Sequence, residues 1–207
     1  MRQTIFNLIT LLFSSILFSQ VTTNDNFQIK FQKARQVDNS SIMQSSQLKI
    51  KSSDLIKTMV KIKIKSKEKD RLNLSAFSLR DINNKIRYRL ADYKGYAGVV
   101  GFPEYVPYLK TKLFDKKGKE LRNVPEFDPE QKDLFNDFNV EDYQNFEVPV
   151  NFGNEQYPNL SIVYFGTTTY KNFTAELFFG ILVENKDADY VLYYKNEKIS
   201  KIELKLR

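Results

Sequence analysis

Cysteine and histidine are both missing from this 207-residue chain, and each absence removes a set of chemistries. Without cysteine there is no disulfide, no thiol nucleophile and no thiolate metal site. Without histidine there is no Ser-His-Asp triad, no imidazole general base and no imidazole zinc ligand. A glycine-rich phosphate loop and a G-x-S-x-G elbow are missing too. Any catalysis would rest on carboxylates, lysines or tyrosines, so the sequence reads as a non-enzymatic protein with no cofactor and no metal ligand set. A carboxylate-dependent hydrolase is kept as an alternative, because glycoside hydrolysis needs only a pair of carboxylates.

Long apolar runs are also scarce. The one candidate opens the chain, "MRQTIFNLITLLFSSILFSQ": Arg2 is followed by an apolar stretch from Ile5 to Phe18. A short basic start, an apolar centre and the small residue Ser19 near its end make a secretory signal peptide. At roughly 14 residues the run is shorter than the ~20 that cross a bilayer as a helix. Residues 1–20 are therefore expected to be the leader, with cleavage after Ser19 or Gln20, and 21–207 the mature chain. The expected location is secreted or periplasmic, with no transmembrane segment after leader removal.

The remaining ~187 residues suit one domain with a substantial core. The net charge of +7 is unevenly distributed. Val21–Val124 carries 23 Lys and Arg against 10 Asp and Glu, whereas Pro125–Asn185 carries 2 against 11. A chain that is basic in one half and acidic in the next lacks the coherent basic character of nucleic-acid binders. The expected partner is an extracytoplasmic protein or glycan, with no nucleic acid.

Most of the chain has the two-residue period of half-buried strands. "MVKIKIKSKEKD" sets Val60, Ile62 and Ile64 against Lys61, Lys63 and Lys65. "KIRYRLADY" sets Ile86, Tyr88 and Leu90 against Lys85, Arg87 and Arg89. Asp81, Asn83 and Asn84 mark a hairpin turn before it. The step between Leu74 and Phe77 breaks the alternation and predicts a bulge or bend. "LSIVYFG" and "FTAELFFGILVE" read as strands buried on both faces or at the centre of the sandwich, and "DYVLYYKNEKISKIELKL" as a closing hairpin with a one-residue slip. Helical signals are thin: "SSDLIKTM" is a candidate single turn. In "DPEQKDLFNDFNVEDYQNF", Leu134, Phe135 and Phe138 sit at helical spacing behind Pro129. The expected fold is all-β.

Two segments, "VKIKIKSKEKDRLNLSAFSLRDINNKIRY" and "AELFFGILVENKDADYVLYYKNEKISKIEL", resemble the first and last strands of the DUF4352-like immunoglobulin-like secreted domains. Leu74, Phe77, Leu79, Asp81 and Tyr88 fill the first pattern; Phe178, Phe179, Leu182, Leu192 and Tyr193 fill the second. The resemblance covers about half of the mature chain. It implies an antiparallel immunoglobulin-like β-sandwich outside the cytoplasm and transfers no catalytic residue. The chain departs from it by a long inserted middle region, 92–147, expected to hold the short helix.

Three stretches are candidates for recognition. "ADYKGYAGVVGFPEYVPY" places Tyr93, Tyr96, Phe102, Tyr105 and Tyr108 among glycines. Exposed, such rings give a rigid contact surface with polar tips for a carbohydrate or other small ligand. Folded inward, they close the open end of the sandwich. The acidic run from Glu126 to Asp142 includes Asp137-x-Asn139-x-Glu141, an alternate-residue oxygen spacing without the glycine and bidentate glutamate of a calcium loop. It reads as a solvated acidic face that pairs with the basic half. The row Lys61, Lys63, Lys65, Lys67, Lys69 and Arg71 is either a solubilising face or a seat for an anionic polymer or headgroup.

Overall fold

Alternating side chains become two packed sheets. The computed structural model describes residues 21–23, 27–37, 53–66, 71–97, 102–104 and 106–204, apart from 123, 138 and 155. The expected leader, Lys67, Lys69 and Tyr105 lie outside the described residues.

The strands are β1 (Val21–Thr23), β2 (Phe27–Gln36), β3 (Leu55–Ser66), β4 (Phe77–Asp81), β5 (Ile86–Arg89), β6 (Asp92–Ala97), β7 (Phe102–Glu104) and β8 (Pro107–Leu109). They continue as β9 (Glu126–Phe127), β10 (Gln144–Phe146), β11 (Val150–Asn151), β12 (Leu160–Ser161), β13 (Tyr164–Phe165), β14 (Asn172–Leu182), β15 (Tyr190–Tyr194) and β16 (Glu197–Ile202). One large sheet runs β1-β2-β3-β14-β6-β7, the other β10-β5-β4-β15-β16, and two small sheets, β11-β12 and β13-β8-β9, lie in the connection between β7 and β14. Lettering β2 to β6 and β14 to β16 in chain order as A, B, C, C′, D, E, F and G gives A-B-E-D facing C′-C-F-G. That order, with antiparallel neighbours throughout, is the immunoglobulin-like sandwich.

The core follows from the period of two. Val60, Ile62 and Ile64 of β3 and Ala175, Leu177 and Phe179 of β14 turn inward, each at most 1 % exposed. Phe77, Leu79, Tyr88 and Leu192 meet them from the other sheet, fully buried. Burying each large side chain contributes about 1.5–3 kcal/mol. β14 lies between β3 and β6, the central place its apolar density predicts. "LSIVYFG" does not share that fate: it breaks into β12 and β13, and Leu160 is exposed.

Local chemistry sets the turns. Asp81 accepts hydrogen bonds from the amides of Asn83 and Asn84 at 3.0 and 2.9 Å, closing the β4–β5 hairpin. The break before Phe77 is a 3₁₀ turn, Leu74–Ala76, in which Asn73 Oδ1 accepts the Ser75 amide at 2.9 Å. The slip in the last hairpin is present as a register shift between β15 and β16.

Two helical expectations are corrected. "SSDLIKTM" turns at Ser53–Asp54 and enters β3 at Leu55. The short helix expected in the acidic segment is a series of turns, and the two 3₁₀ turns are the only helical elements among the described residues. No helix there is long and apolar enough to cross a membrane. Asp92–Ala97 and Phe102–Glu104 themselves belong to the first sheet, so the excursion lies between β7 and β14.

Tyr190, at the start of β15, donates its hydroxyl to the Asn185 carbonyl at 2.7 Å. A tyrosine opening strand F and bonding back a few residues upstream is the tyrosine corner of this fold. Burial pushes the Tyr190 hydroxyl well above the usual tyrosine range, raises that of Tyr88, and lifts Tyr194 to about 12. Unfolded tyrosine ionises near 10. The folded protein thus holds these protons where the unfolded chain releases them. This contribution is complete below pH ~10 and for Tyr194 is lost as pH rises from 10 to about 12. Stability should fall by about 1.4 kcal/mol per pH unit per buried tyrosine there. The part of the 295 nm phenolate absorbance that belongs to these three tyrosines should rise only with unfolding; complete titration of the absorbance while the protein stays folded would contradict this.

Candidate binding cleft on an insertion held by arginines

The expected solvent face of β5 is not in solvent. Arg87 is 0 % exposed and Arg89 4 %, and Arg80, directly across from Arg87 on β4, is 6 %. Three guanidiniums on the outer face of the second sheet are covered by the insertion, which supplies both aromatic rings and carboxylates.

Arg89 is gripped end-on by Asp133, with Nη1 to Oδ1 at 2.8 Å and Nη2 to Oδ2 at 2.6 Å. Its Nε donates to Glu147 Oε1 at 2.8 Å. Such forked, charge-assisted pairing is the strongest kind of side-chain hydrogen bonding. The fully buried Phe135 ring lies 4.0 Å from the Arg87 guanidinium carbon and 4.5 Å from that of Arg89. Tyr193 of β15 stacks on Arg80 at 3.8 Å, and Tyr164 approaches Arg89 at 5.1 Å. Cation–π contacts gain strength when water is excluded. Burial is the largest influence on Arg87 and, with repulsion from Arg80 and Arg89, lowers it to about 10; it stays protonated at neutral pH. For Arg89 the hydrogen bonds and charge of Asp133 and Glu147 outweigh a burial effect that is larger than any one of them, and its pKa rises. The Leu134 amide donates to Ser75 Oγ at 2.9 Å, and β10 pairs with β5 in parallel. The acidic run thus reaches the basic half, as expected, but through the buried Asp133 rather than along a solvated face.

What stays open lies at the far end of the insertion. The bridge Phe114–Glu120 closes a turn in which Asp115 Oδ1 accepts the amides of Lys117 and Lys119, both at 2.9 Å. Gly118 sits at φ +74°, which a side chain would resist. Facing it, Asn151 Oδ1 accepts the amides of Gly153 and Asn159, both at 2.9 Å. A Cβ on Gly153 would collide with the Tyr157 carbonyl, so only glycine closes this loop. Asn159 Nδ2 donates to the Phe114 carbonyl at 2.7 Å and ties the two turns together. Between them is an open cleft of about 850 Å³ lined by Phe114, Lys116, Lys117, Phe152, Gln156 and Tyr157, among others. Phe114 and Tyr157 are each 49 % exposed, and Lys116 Nζ lies 4.4 Å from the Tyr157 ring. Of the five exposed large hydrophobic residues among those described, Phe114, Phe127, Tyr157 and Leu160 all belong to the insertion. Among the described residues the carboxylate lining this cleft is Asp115, already engaged by backbone amides.

The tyrosine-rich stretch is divided rather than gathered. Tyr93 is buried toward the core, edge-on to Phe165 at 6.3 Å. Tyr96, three residues on, belongs to the opposite face of β6, half-buried with Lys94 Nζ 4.7 Å from its ring. Phe102 lies in β7, paired with Ala97. Tyr108 is half-buried in β8 and packs closely over Gly166. Phe114 and Tyr157 were outside that stretch; the turn-rich "DKKGKE" and "GNEQYPN" around them are the signal that locates the cleft.

No family model, no curated protein and no solved structure matches the chain.

Proposed function

We propose that the chain is an exported, non-enzymatic binding module: a sandwich that holds up an insertion, whose cleft engages an extracytoplasmic partner. The observation that carries this reading is the pairing of two half-exposed rings, Phe114 and Tyr157, across an open cleft. Buried aromatics in this chain are packed or stacked; these two are held in water by a network of turn hydrogen bonds, and exposed rings on rigid turns are what recognition surfaces use. Export rests on the leader-like residues 1–20, and mass measurement of the protein recovered outside the cytoplasm should show loss of the first 19 or 20.

The second reading, a carbohydrate or small-ligand module, is favoured by the same cleft, where flat rings stand beside the side-chain amides of Asn154 and Gln156. It places the ligand there rather than on the tyrosine-rich stretch. A hydrolase is less supported, because Asp133 and Glu147 are both committed to Arg89. Tyr157→Ala and Phe114→Ala should each weaken binding of a captured glycan or peptide by at least ~10-fold. Surface truncations of this kind leave stability nearly unchanged, so melting temperature should hold. Unaltered binding in both variants would remove the cleft from the function.

A further inference from the structure

The outer face of the first sheet carries a density of positive charge that folding alone does not ask for. Inward-facing residues of β2 and β3 alternate with lysines, and the register brings those lysines side by side. Lys30 lies directly opposite Lys63, and Lys33 directly opposite Lys61. Like charges placed across from one another in a sheet are destabilising, and here the pairing occurs twice in succession. Lys65 extends the row, and Arg35 continues it at the other end, opposite Met59. Lys30, Lys33, Arg35, Lys63 and Lys65 are all exposed, and none of them forms an ion pair among the described residues.

The neighbouring strands add little to neutralise it. Glu176 of β14 pairs with Lys61 at 3.4 Å, and Lys94 of β6 sits opposite Glu176 on its other side. Asp92 is buried near Lys57. Burial lowers Lys57 and Lys94, the Lys61 charge lowers Lys94 further, and Asp92 and Glu176 oppose these shifts. Among the described residues, two carboxylates therefore face eight cations on this sheet surface.

We infer that this face binds a linear anionic polysaccharide, lying along the strands. Successive outward lysines on β3 stand about 6.6 Å apart and the next strand's row lies about 4.8 Å away. That lattice offers an extended polyanion a cation at every step, and its own repulsion is relieved when the polymer's charges arrive. A bilayer surface fits less well: among the described apolar side chains of this face Met59 is 1 % exposed and Phe178 half-buried, so neither stands out to insert between lipids. Nucleic acid fits less well too, since Tyr96, the described ring on this face beside Phe178, is half-buried against Lys94. The inference concerns the opposite sheet from the insertion's cleft and is independent of it.

The test uses the full mature chain, polygalacturonate and heparin as polymer probes, anionic phospholipid vesicles and duplex DNA, at 0.15 M salt. Two triple variants are compared: Lys30→Gln, Lys63→Gln, Lys65→Gln on the face, and Lys116→Gln, Lys117→Gln, Lys119→Gln on the insertion. The inference expects polymer binding that weakens with salt, a loss of about 10-fold or more in the face variant, and little change in the insertion variant. The face variant should melt no lower than the parent at low salt, which separates lost binding from lost folding. Equal losses in both variants would reduce the effect to bulk charge and overturn the inference. So would tighter binding to vesicles or DNA than to either polymer, or no binding at all.

Discussion

Asp133→Ala should destabilise the protein by about 3–5 kcal/mol, the cost typical of removing one partner of a buried ion pair. The Arg89 side chain is 3 % exposed, and Asp133 supplies two of its three shortest contacts. Without that carboxylate, a guanidinium out of reach of water is left to Glu147 alone. The Phe135 amide also loses its acceptor, and Asn136 Nδ2 is left with the longer bond to Glu147 Oε1 at 3.5 Å. Urea denaturation should show the midpoint fall. Combining it with Arg89→Met should recover part of the loss, because an apolar side chain has no charge to strand. If the double variant is no more stable than Asp133→Ala, the pair is not what holds this surface together.

Phe135→Ala should cost about 3–5 kcal/mol, the range for deleting a fully buried aromatic ring. The ring fills the space between two guanidiniums and the insertion backbone, so its loss leaves both a cavity and two poorly solvated cations. Its effect should be non-additive with Asp133→Ala, since both act through Arg89. Limited proteolysis should then cut within the insertion before the sandwich strands. A variant as protease-resistant as the parent would contradict the anchoring role of Phe135.

The sandwich itself was legible because its strands obey one rule over many residues. In β3 every even-numbered residue from Ile56 to Ile64 is buried, and an alternation of that length has no other stable reading. The hairpin at Asp81–Asn84 was legible from side chains able to accept their own backbone amides. The outer face of β5 was misread for a physical reason. Arg87 and Arg89 look like a solvated row in isolation; that they are buried depends on rings and carboxylates some 44–58 residues further along. Sequence spacing cannot announce a partner at that distance.

The acidic segment shows the same competition in detail. Leu134, Phe135 and Phe138 have helical spacing, but Asp133 and Phe135 both reach Arg89. Residues two apart lie on opposite sides of a continued helix, and here the backbone makes a single turn, with the Asn136 and Asp137 amides donating to the Asp133 carbonyl. Asp133 also accepts the Phe135 amide, a local bond that draws aspartate out of helices into turns. Tertiary contact with the arginines therefore decides the conformation. In the tyrosine-rich stretch, Tyr93 belongs to a core-facing register position of β6 and Tyr96 to the opposite face, which the glycine-rich composition obscured.

Amide hydrogen exchange followed along the chain puts the seating of the insertion on the arginine-bearing sheet to its most direct test. Gln144–Phe146 pairs with Ile86–Arg89, and the Gln144 amide donates to the Lys85 carbonyl at 2.8 Å. Segments that open together exchange with one common free energy. The Gln144 amide should accordingly be protected to the same level as those of β5 and lose that protection in Asp133→Ala. Rapid, unprotected exchange of the Gln144 amide beside a fully protected β5 would show that the insertion is not seated there.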